Sequence, residues 1–219
     1  MFPLSDVIPS RTTPFVTVAL IVLNAAAFVL ELTLSDAALR QVVQEYGVVP
    51  AALSWPAVFT SLFLHGGWVH FGGNMLYLWI FGDNVEDRLG HVRFLVFYLA
   101  CGAAAALGQV AMNPSSTVPM VGASGAIAGV MGAYFVFYPQ SRVLTAVFLV
   151  LFIDVIEVPA LFFLGVWFLM QLFSGAGSIG ADAADGGIAL WAHVAGFAGG
   201  ALYGGFRRVA DRTPQPRWE

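Results

Sequence analysis

Ser124 is the first residue that could carry chemistry, because small residues surround its hydroxyl on both sides. It lies in Gly122-Ala123-Ser124-Gly125-Ala126, at the start of an apolar segment, and glycine lets a substrate or a neighbouring backbone approach closely. Soluble hydrolases place a nucleophilic serine after a β-strand, and no strand pattern precedes Ser124. A structural interpretation is also open: Gly125, Gly129 and Gly132 form a face through which membrane helices contact each other.

His193 is a candidate base for that serine. A serine hydroxyl is a weak nucleophile until an adjacent base accepts its proton, and histidine is rare in apolar membrane segments unless it has a partner or a task. Beside it runs a strip of small residues at four-residue spacing: Ala192, Gly196, Gly200 and Gly204. We expect this strip to pack on the glycine face that follows Ser124, which brings the two side chains to one depth. The alternative is a histidine that only makes a structural hydrogen bond.

His70 and Asn74 are four residues apart and therefore share one face of a helix. Both side chains donate hydrogen bonds, and a tetrahedral intermediate needs donors aimed at its oxyanion. We predict that they form an oxyanion site with the backbone N–H of Ser124. Alternatively, they bridge helices or bind a metal with His65, but no Asp, Glu or Cys near the same helix ends completes such a site. We therefore predict a Ser124–His193 dyad without a third acid, a metal or a cofactor.

These residues lie in apolar segments typical of an integral membrane protein. Hydrophobic residues make up 59% of the 219 residues and charged residues 10%, with a mean hydropathy of +0.82, whereas soluble domains carry far more charge. A helix needs about 20 apolar residues to cross a bilayer, and lipid offers backbone groups no other partners. We predict an all-α protein with six transmembrane helices, at about Phe15–Leu32, Val69–Asn84, Val92–Met112, Ala123–Tyr138, Pro159–Phe173 and Ile188–Phe206.

Arginine sets the predicted orientation of these segments, since the chain contains no lysine. With a cytoplasmic N-terminus, every arginine except Arg40 lies on the cytoplasmic side, as the positive-inside rule requires. The apolar stretch Val143–Ile153 is too short to cross and is expected at the membrane interface. Alternatively, the first segment is a signal peptide cleaved near Ala25–Ala27, although Asp6 weakens the basic region that such a peptide needs. The predicted organisation is a short cytoplasmic N-terminus (1–14), a six-helix membrane domain (15–206) and a cytoplasmic C-terminal tail (207–219).

The charge and the cysteine content exclude several classes of binding partner and site. The net charge is −4 and no basic cluster lies outside the C-terminal tail, which argues against a nucleic-acid partner. The single cysteine, Cys101, excludes an intramolecular disulfide and a metal site built from several thiolates. The lipid bilayer is the partner that the composition predicts.

The motifs together resemble the rhomboid family of intramembrane serine proteases. The matching elements are His70-x-x-x-Asn74 in the second predicted span, Gly122-x-Ser124-Gly125 in the fourth and Ala192-His193-x-x-Gly196 in the sixth. Val85-Glu86-Asp87-Arg88-Leu89-Gly90 is similar to the family's Glu-x-Arg element, which braces the first outer loop and helix ends. In its plain interpretation this element is an exposed ion pair of little net energy. The resemblance covers Ser54–Gly205.

The resemblance implies a six-helix core with a water-filled cavity that opens outward, and cleavage of single-span membrane proteins near the outer membrane face. It implies that Ser124 is the nucleophile, that His193 is the general base and then the acid, and that Asn74 and His70 line the oxyanion hole.

The resemblance also implies a mobile cap at Phe173–Gly187 and lateral access for the substrate between the second and fifth spans. Some relatives carry an aromatic residue one turn after the serine, and this residue packs on the base. That position is Ala128 here, so the resemblance does not specify what holds the ring of His193.

Two other functions share some of these features. A catalytically inactive rhomboid-like protein that binds membrane clients would have the same fold, but it would not need both Ser124 and His193. A transporter or channel would place charged residues deep in its spans, whereas Asp83, Glu86 and Asp87 cluster at one helix end. The predicted location is the bacterial inner membrane with both termini cytoplasmic. Neither the physiological substrate nor the oligomeric state follows from the sequence.

Overall fold

The structure, a computed structural model, describes residues 2–148, 153–177 and 189–210. These residues are mostly helical, and three strands form one sheet. The helices are α1 (Phe15–Leu32), α2 (Asp36–Tyr46), α3 (Trp55–Thr60), α4 (Trp68–Leu89), α5 (His91–Met112), α6 (Ser124–Phe137), α7 (Ala160–Gly177) and α8 (Leu190–Ala210), with 3-10 turns at Pro50–Ala52 and Ser61–Phe63. The strands are β1 (Phe2–Asp6), β2 (Arg142–Phe148) and β3 (Ile153–Pro159).

Each of the six predicted apolar segments coincides with one described helix: α1, α4, α5, α6, α7 or α8. The predicted ends hold for α1, while α4 continues five residues beyond its predicted end at Asn84. Among the described helices, α1 and α5 are long and apolar enough to cross a membrane, whereas α6 and the Ala160–Gly175 part of α7 are apolar but shorter. The positions of the helices are therefore confirmed, and the count of six spans stays a prediction.

The described fold is mostly helical, as predicted, but it also contains a three-stranded sheet that the all-α prediction missed. Strand β2 pairs antiparallel with both β1 and β3, in the order β1-β2-β3. The Val143–Ile153 stretch contributes all of β2 except Arg142, and also the first residue of β3. Its position relative to a membrane stays a prediction. Valine, isoleucine and threonine favour extended backbone because their branched side chains fit a pleated surface. Val143 and Thr145 are fully buried, as expected for alternate residues on one face of a sheet.

Polar side chains hold β1 against the ends of α4 and α6. The hydroxyl of Tyr134 donates to Oδ2 of Asp6 at 2.5 Å, and the amide of Asn84 donates to the same oxygen at 3.2 Å. Burial, together with the nearby charge of Asp83, raises the pKa of Asp6 to about 6. The protonated form of Asp6 is thus favoured in the folded protein relative to a carboxyl in water.

Helix α6 forms the centre of the bundle. All residues from Gly125 to Tyr134 are buried, and the helix packs on α4, α5 and α8. Its contact with α8 depends on glycine, because a Cβ at Gly200 would overlap the carbonyl oxygen of Gly129. Small residues at such positions let two helix backbones touch. The predicted packing of the two glycine faces is therefore confirmed, and it brings the first turns of α6 and α8 side by side.

The carboxylate of Glu86 holds the N-terminus of α1 against the end of α4. It is fully buried and accepts hydrogen bonds from the backbone N–H groups of Val16 (2.9 Å) and Thr17 (2.8 Å) and from the Thr17 hydroxyl (2.7 Å). N–H groups in the first helical turn have no partner within the helix, and a negative charge is favourable there. The interpretation of Glu86 as part of an exposed ion pair is wrong, since its carboxylate braces a helix end.

The segment between α1 and α4 folds over the chain that leads into α6. Val48 and Met120 exchange two backbone hydrogen bonds, with N···O distances of 2.9 and 2.8 Å. The N–H of Gly122 donates to the carbonyl of Ser61 at 2.8 Å. These bonds fix the backbone immediately before Ser124.

Candidate active site

The structure brings Ser124 and His193 into hydrogen-bonding contact. Ser124 is the first residue of α6, and His193 lies in the first turn of α8. The Nε2 atom of His193 is 2.7 Å from the Oγ atom of Ser124, a normal distance for a hydrogen bond to a hydroxyl. The histidine is buried, with 8% of its surface exposed. The juxtaposition follows from the glycine contact between α6 and α8.

The other ring nitrogen of His193 contacts a residue that the sequence reasoning missed. Its Nδ1 atom is 2.8 Å from Oε1 of Gln171 on α7. The ring of Trp167, one turn earlier on α7, lies 5.8 Å from the imidazole ring between centroids. Ala128 is fully buried and offers only a methyl group. The available signal was the polar amide of Gln171 in an apolar helix, because such a group needs a partner.

Gly122, His70 and Asn74 meet beside Ser124. The φ angle of Gly122 is +120°, and a Cβ there would lie 2.6 Å from Cε1 and Nε2 of His70 and 3.6 Å from Nδ2 of Asn74. Only glycine satisfies both the backbone angle and this close approach. The Nδ2 atom of Asn74 is buried and has no hydrogen-bond partner among the described residues. A buried donor without a partner is unfavourable, so this amide is available to a ligand or a water molecule.

The backbone orients the ring of His70. The N–H of Gly66 points to Nδ1 of His70 at 3.3 Å, so this nitrogen is the acceptor and the proton of the neutral ring resides on Nε2. This Nε2 and the adjacent Cε1 are the His70 atoms nearest to a Cβ placed at Gly122. The two donors proposed for an oxyanion, Nε2 of His70 and Nδ2 of Asn74, therefore both lie beside the backbone that leads into Ser124.

His65 lies beside His70 in a cluster of aromatic rings. The two rings are 5.3 Å apart between centroids, and His65 also contacts the rings of Phe28 and Phe71 edge-on. Burial, and secondarily the neighbouring His70, lowers the pKa of His65 to about 4, so the ring is neutral at pH 7. No group of three or more His, Cys, Asp or Glu side chains that could hold a metal exists in the described ranges.

A small cavity adjoins Ser124. Its lining combines small residues, among them Gly102, Ala105 and Ala192, with the larger side chains of Leu62 and Met120. The predicted cap at Phe173–Gly187 falls largely outside the described residues, and its first residues continue α7 to Gly177.

The amino-acid sequence is similar to a family model and to several known proteins. Residues 52–209, more than half of the chain, match the family model described as "Rhomboid domain". "Rhomboid protease GluP" of Bacillus subtilis is 40% identical over 79 residues, which are 36% of this chain and 15% of that protein. "Putative rhomboid protease YdcA" of the same organism is 35% identical over 95 residues, 43% of this chain and 47% of that protein.

A third relative extends over more of the chain. "Rhomboid protein 1, mitochondrial" of Saccharomyces cerevisiae is 29% identical over 165 residues, which are 74% of this chain and 44% of that protein. This chain thus spans less than half the length of each of the three relatives.

Proposed function

Because the chain belongs to the rhomboid family, a family of integral membrane proteins that includes proteases acting on membrane proteins, we propose that it is an intramembrane serine endopeptidase. The observation that carries this proposal is the 2.7 Å contact between Nε2 of His193 and Oγ of Ser124 in a buried site. An activated nucleophile needs a base at this distance.

In the proposed reaction His193 first acts as the base. Its Nε2 takes the proton of the Ser124 hydroxyl while Oγ attacks the carbonyl carbon of the scissile peptide bond. The proton then passes from the imidazolium to the leaving amine nitrogen, and the carbon–nitrogen bond breaks to leave an ester on Ser124. A water molecule attacks this ester with His193 again as base, which releases the acid product and restores the serine.

The oxyanion of the tetrahedral intermediate needs hydrogen-bond donors that are already in place. The backbone N–H of Ser124, Nδ2 of Asn74 and Nε2–H of His70 would supply them. The unpartnered Asn74 amide supports this role, because a donor left free in the resting site does not have to break another bond first. Each such donor contributes about 10²–10³-fold to kcat in serine proteases.

We further propose that the substrates are single-span membrane proteins, cut near the outer face at small residues. The small size of the cavity beside Ser124 supports a small side chain at the cut. The arginine distribution supports six spans with cytoplasmic termini, and the Bacillus relatives support a bacterial plasma membrane. Recognition would rest on the ease with which a substrate helix unwinds, so equal cleavage of a helix-stabilised and a helix-destabilised substrate would contradict this last point.

Cleavage of a fluorogenic single-span substrate by the purified protein in lipid vesicles tests the proposal. Ser124→Ala and His193→Ala should each lower the cleavage rate by about 10³-fold or more, with unchanged thermal unfolding. Ser174→Ala is a matched control because this serine is exposed near the end of α7, and it should cut at the wild-type rate. Cleavage by Ser124→Ala at the wild-type rate would refute the proposal. So would a folded wild type that cuts no substrate of a varied panel, which would indicate an inactive client-binding protein.

A further inference from the structure

We propose that Gln171 positions the catalytic base, by accepting a hydrogen bond from Nδ1–H of His193 and so fixing the tautomer that can take the proton of Ser124. This inference rests on the proposed function. Gln171 would thus hold the imidazole ring of His193 in a chain where the residue one turn after the serine is Ala128.

The two contacts of the imidazole define the tautomer. A neutral imidazole carries one N–H, and the hydrogen bond made by one nitrogen sets the state of the other. With Oε1 of Gln171 at 2.8 Å from Nδ1, the proton resides on Nδ1. The Nε2 atom then presents a lone pair to the Ser124 hydroxyl at 2.7 Å, which is the arrangement a general base requires.

The opposite orientation of the Gln171 amide would disable the site. If the NH₂ group faced Nδ1 of His193, the ring proton would move to Nε2 and point at Ser124. The serine would then have a donor instead of a base beside it. The orientation of this amide is therefore part of the proposal, and it makes the proposal testable by spectroscopy.

An amide suits this position better than a carboxylate in the resting enzyme. His193 is buried, and Gln171 lies on an apolar helix, where an ionised group is costly unless it is paired. An amide oxygen accepts the Nδ1 hydrogen bond without adding a buried charge. The ring of Trp167 lies beside the imidazole and limits the room in which the imidazole can rotate.

The contact should strengthen during the reaction. When Nε2 takes the serine proton, the imidazole becomes a cation, and a hydrogen bond from a charged donor is about twice as strong as a neutral one. An interaction that is stronger in the transition state than in the ground state acts on kcat and not on KM. Loss of Gln171 is therefore expected to lower kcat while KM stays near its wild-type value.

Three variants separate positioning of the ring from general packing. Gln171→Met keeps the length of the side chain but removes the oxygen, and Gln171→Glu keeps an acceptor at the same place. Gln109→Met is the matched control, since Gln109 on α5 accepts a hydrogen bond from the backbone N–H of Ala192 at 3.2 Å. The Gln109→Met variant loses a glutamine hydrogen bond to the same turn of α8, but the contacts of the His193 ring stay intact.

We expect Gln171→Met to lower kcat by about 10²-fold, within the range that positioned acid–base catalysis contributes, with KM within about twofold. Gln171→Glu should recover at least about tenfold of that loss, and Gln109→Met should keep kcat within about threefold of wild type. The inference is overturned if Gln171→Met keeps the wild-type kcat or if Gln109→Met loses as much.

Nitrogen NMR of ¹⁵N-histidine-labelled protein gives a readout that needs no activity. The His193 signals are identified by their loss in His193→Ala. The wild type should show His193 protonated on Nδ1, and Gln171→Met should show a mixture of tautomers. A wild-type ring protonated on Nε2 would overturn the inference even if the protein cleaves substrate. Failure of the proposed function is a separate result, since it would appear as cleavage that survives Ser124→Ala.

Discussion

Replacing Gly122 by alanine should damage the oxyanion site far more than it damages the fold. A Cβ at this position would lie 2.6 Å from the ring of His70, whereas ordinary van der Waals contacts begin at 3.4 Å. The ring must therefore retreat by about 0.8 Å, and a misplacement of about 1 Å at a catalytic group can lower the rate about 10²-fold. Asn74, 3.6 Å from the same Cβ, has room to stay.

The expected size of the effect follows from the loss of one donor. Removal of one oxyanion donor lowers kcat by about 10²–10³-fold, or roughly 2.7–4 kcal/mol, so we expect about 10²-fold for Gly122→Ala. The positive φ angle adds a separate loss of about 1–2 kcal/mol in the free energy of unfolding, because an L-residue is strained there.

Gly90→Ala separates the two effects. Gly90 also has a positive φ angle, +80°, but nothing lies within 4 Å of its missing Cβ. The Gly90→Ala variant should lose about as much thermal stability as Gly122→Ala. Its cleavage rate should stay within about twofold of the wild-type rate. The reasoning is refuted if folded Gly122→Ala keeps more than a third of the wild-type kcat, or if Gly90→Ala loses activity to the same extent.

Two further predictions concern the opposite end of the bundle. Glu86→Ala leaves the donors on Val16 and Thr17 without their carboxylate and should lower the free energy of unfolding by about 3–5 kcal/mol. Thermal unfolding in detergent measures this loss, and Glu45→Ala at an exposed position is the control. Equal melting temperatures for the two variants would contradict the prediction. Burial raises the pKa of Asp6 from 3.8 to about 6, so between these pH values the folded protein holds a proton that the unfolded chain releases. The free energy of unfolding should therefore fall as the pH rises through this range. Asp6→Asn should remove this decline in melting temperature between pH 4 and 7, and an equal decline in both proteins would count against the assignment.

The parts of the fold and the site that the sequence predicted are those carried by local patterns. The apolar runs predicted where the long helices lie, because a helix in lipid needs a continuous apolar stretch. The four-residue spacing of small residues, including Gly200, predicted the contact between α6 and α8, and this contact brings His193 to Ser124. The match of residues 52–209 to the rhomboid model confirms the family that these motifs resemble.

The parts that escaped prediction depend on partners far away in the chain. Nothing in Phe2–Asp6 indicates that it pairs with residues near Ala146, because strand pairing is decided by tertiary contacts. Glu86 looks like a surface residue until the N-terminus of α1 is placed against it. Gln171 is a single polar residue whose partner lies 22 positions later, beyond any helical period.

The pairing of β1 with β2 places a timing constraint on biosynthesis. Phe2 lies opposite Ala146, and at about 5–20 residues per second β1 waits on the order of ten seconds for its partner to leave the ribosome. During that interval α1, α4, α5 and α6 emerge, so β1 can be captured only after most of the bundle has been made. A chain that stalls before Arg142 exposes an unpaired strand edge, and such edges are sites of association with other chains.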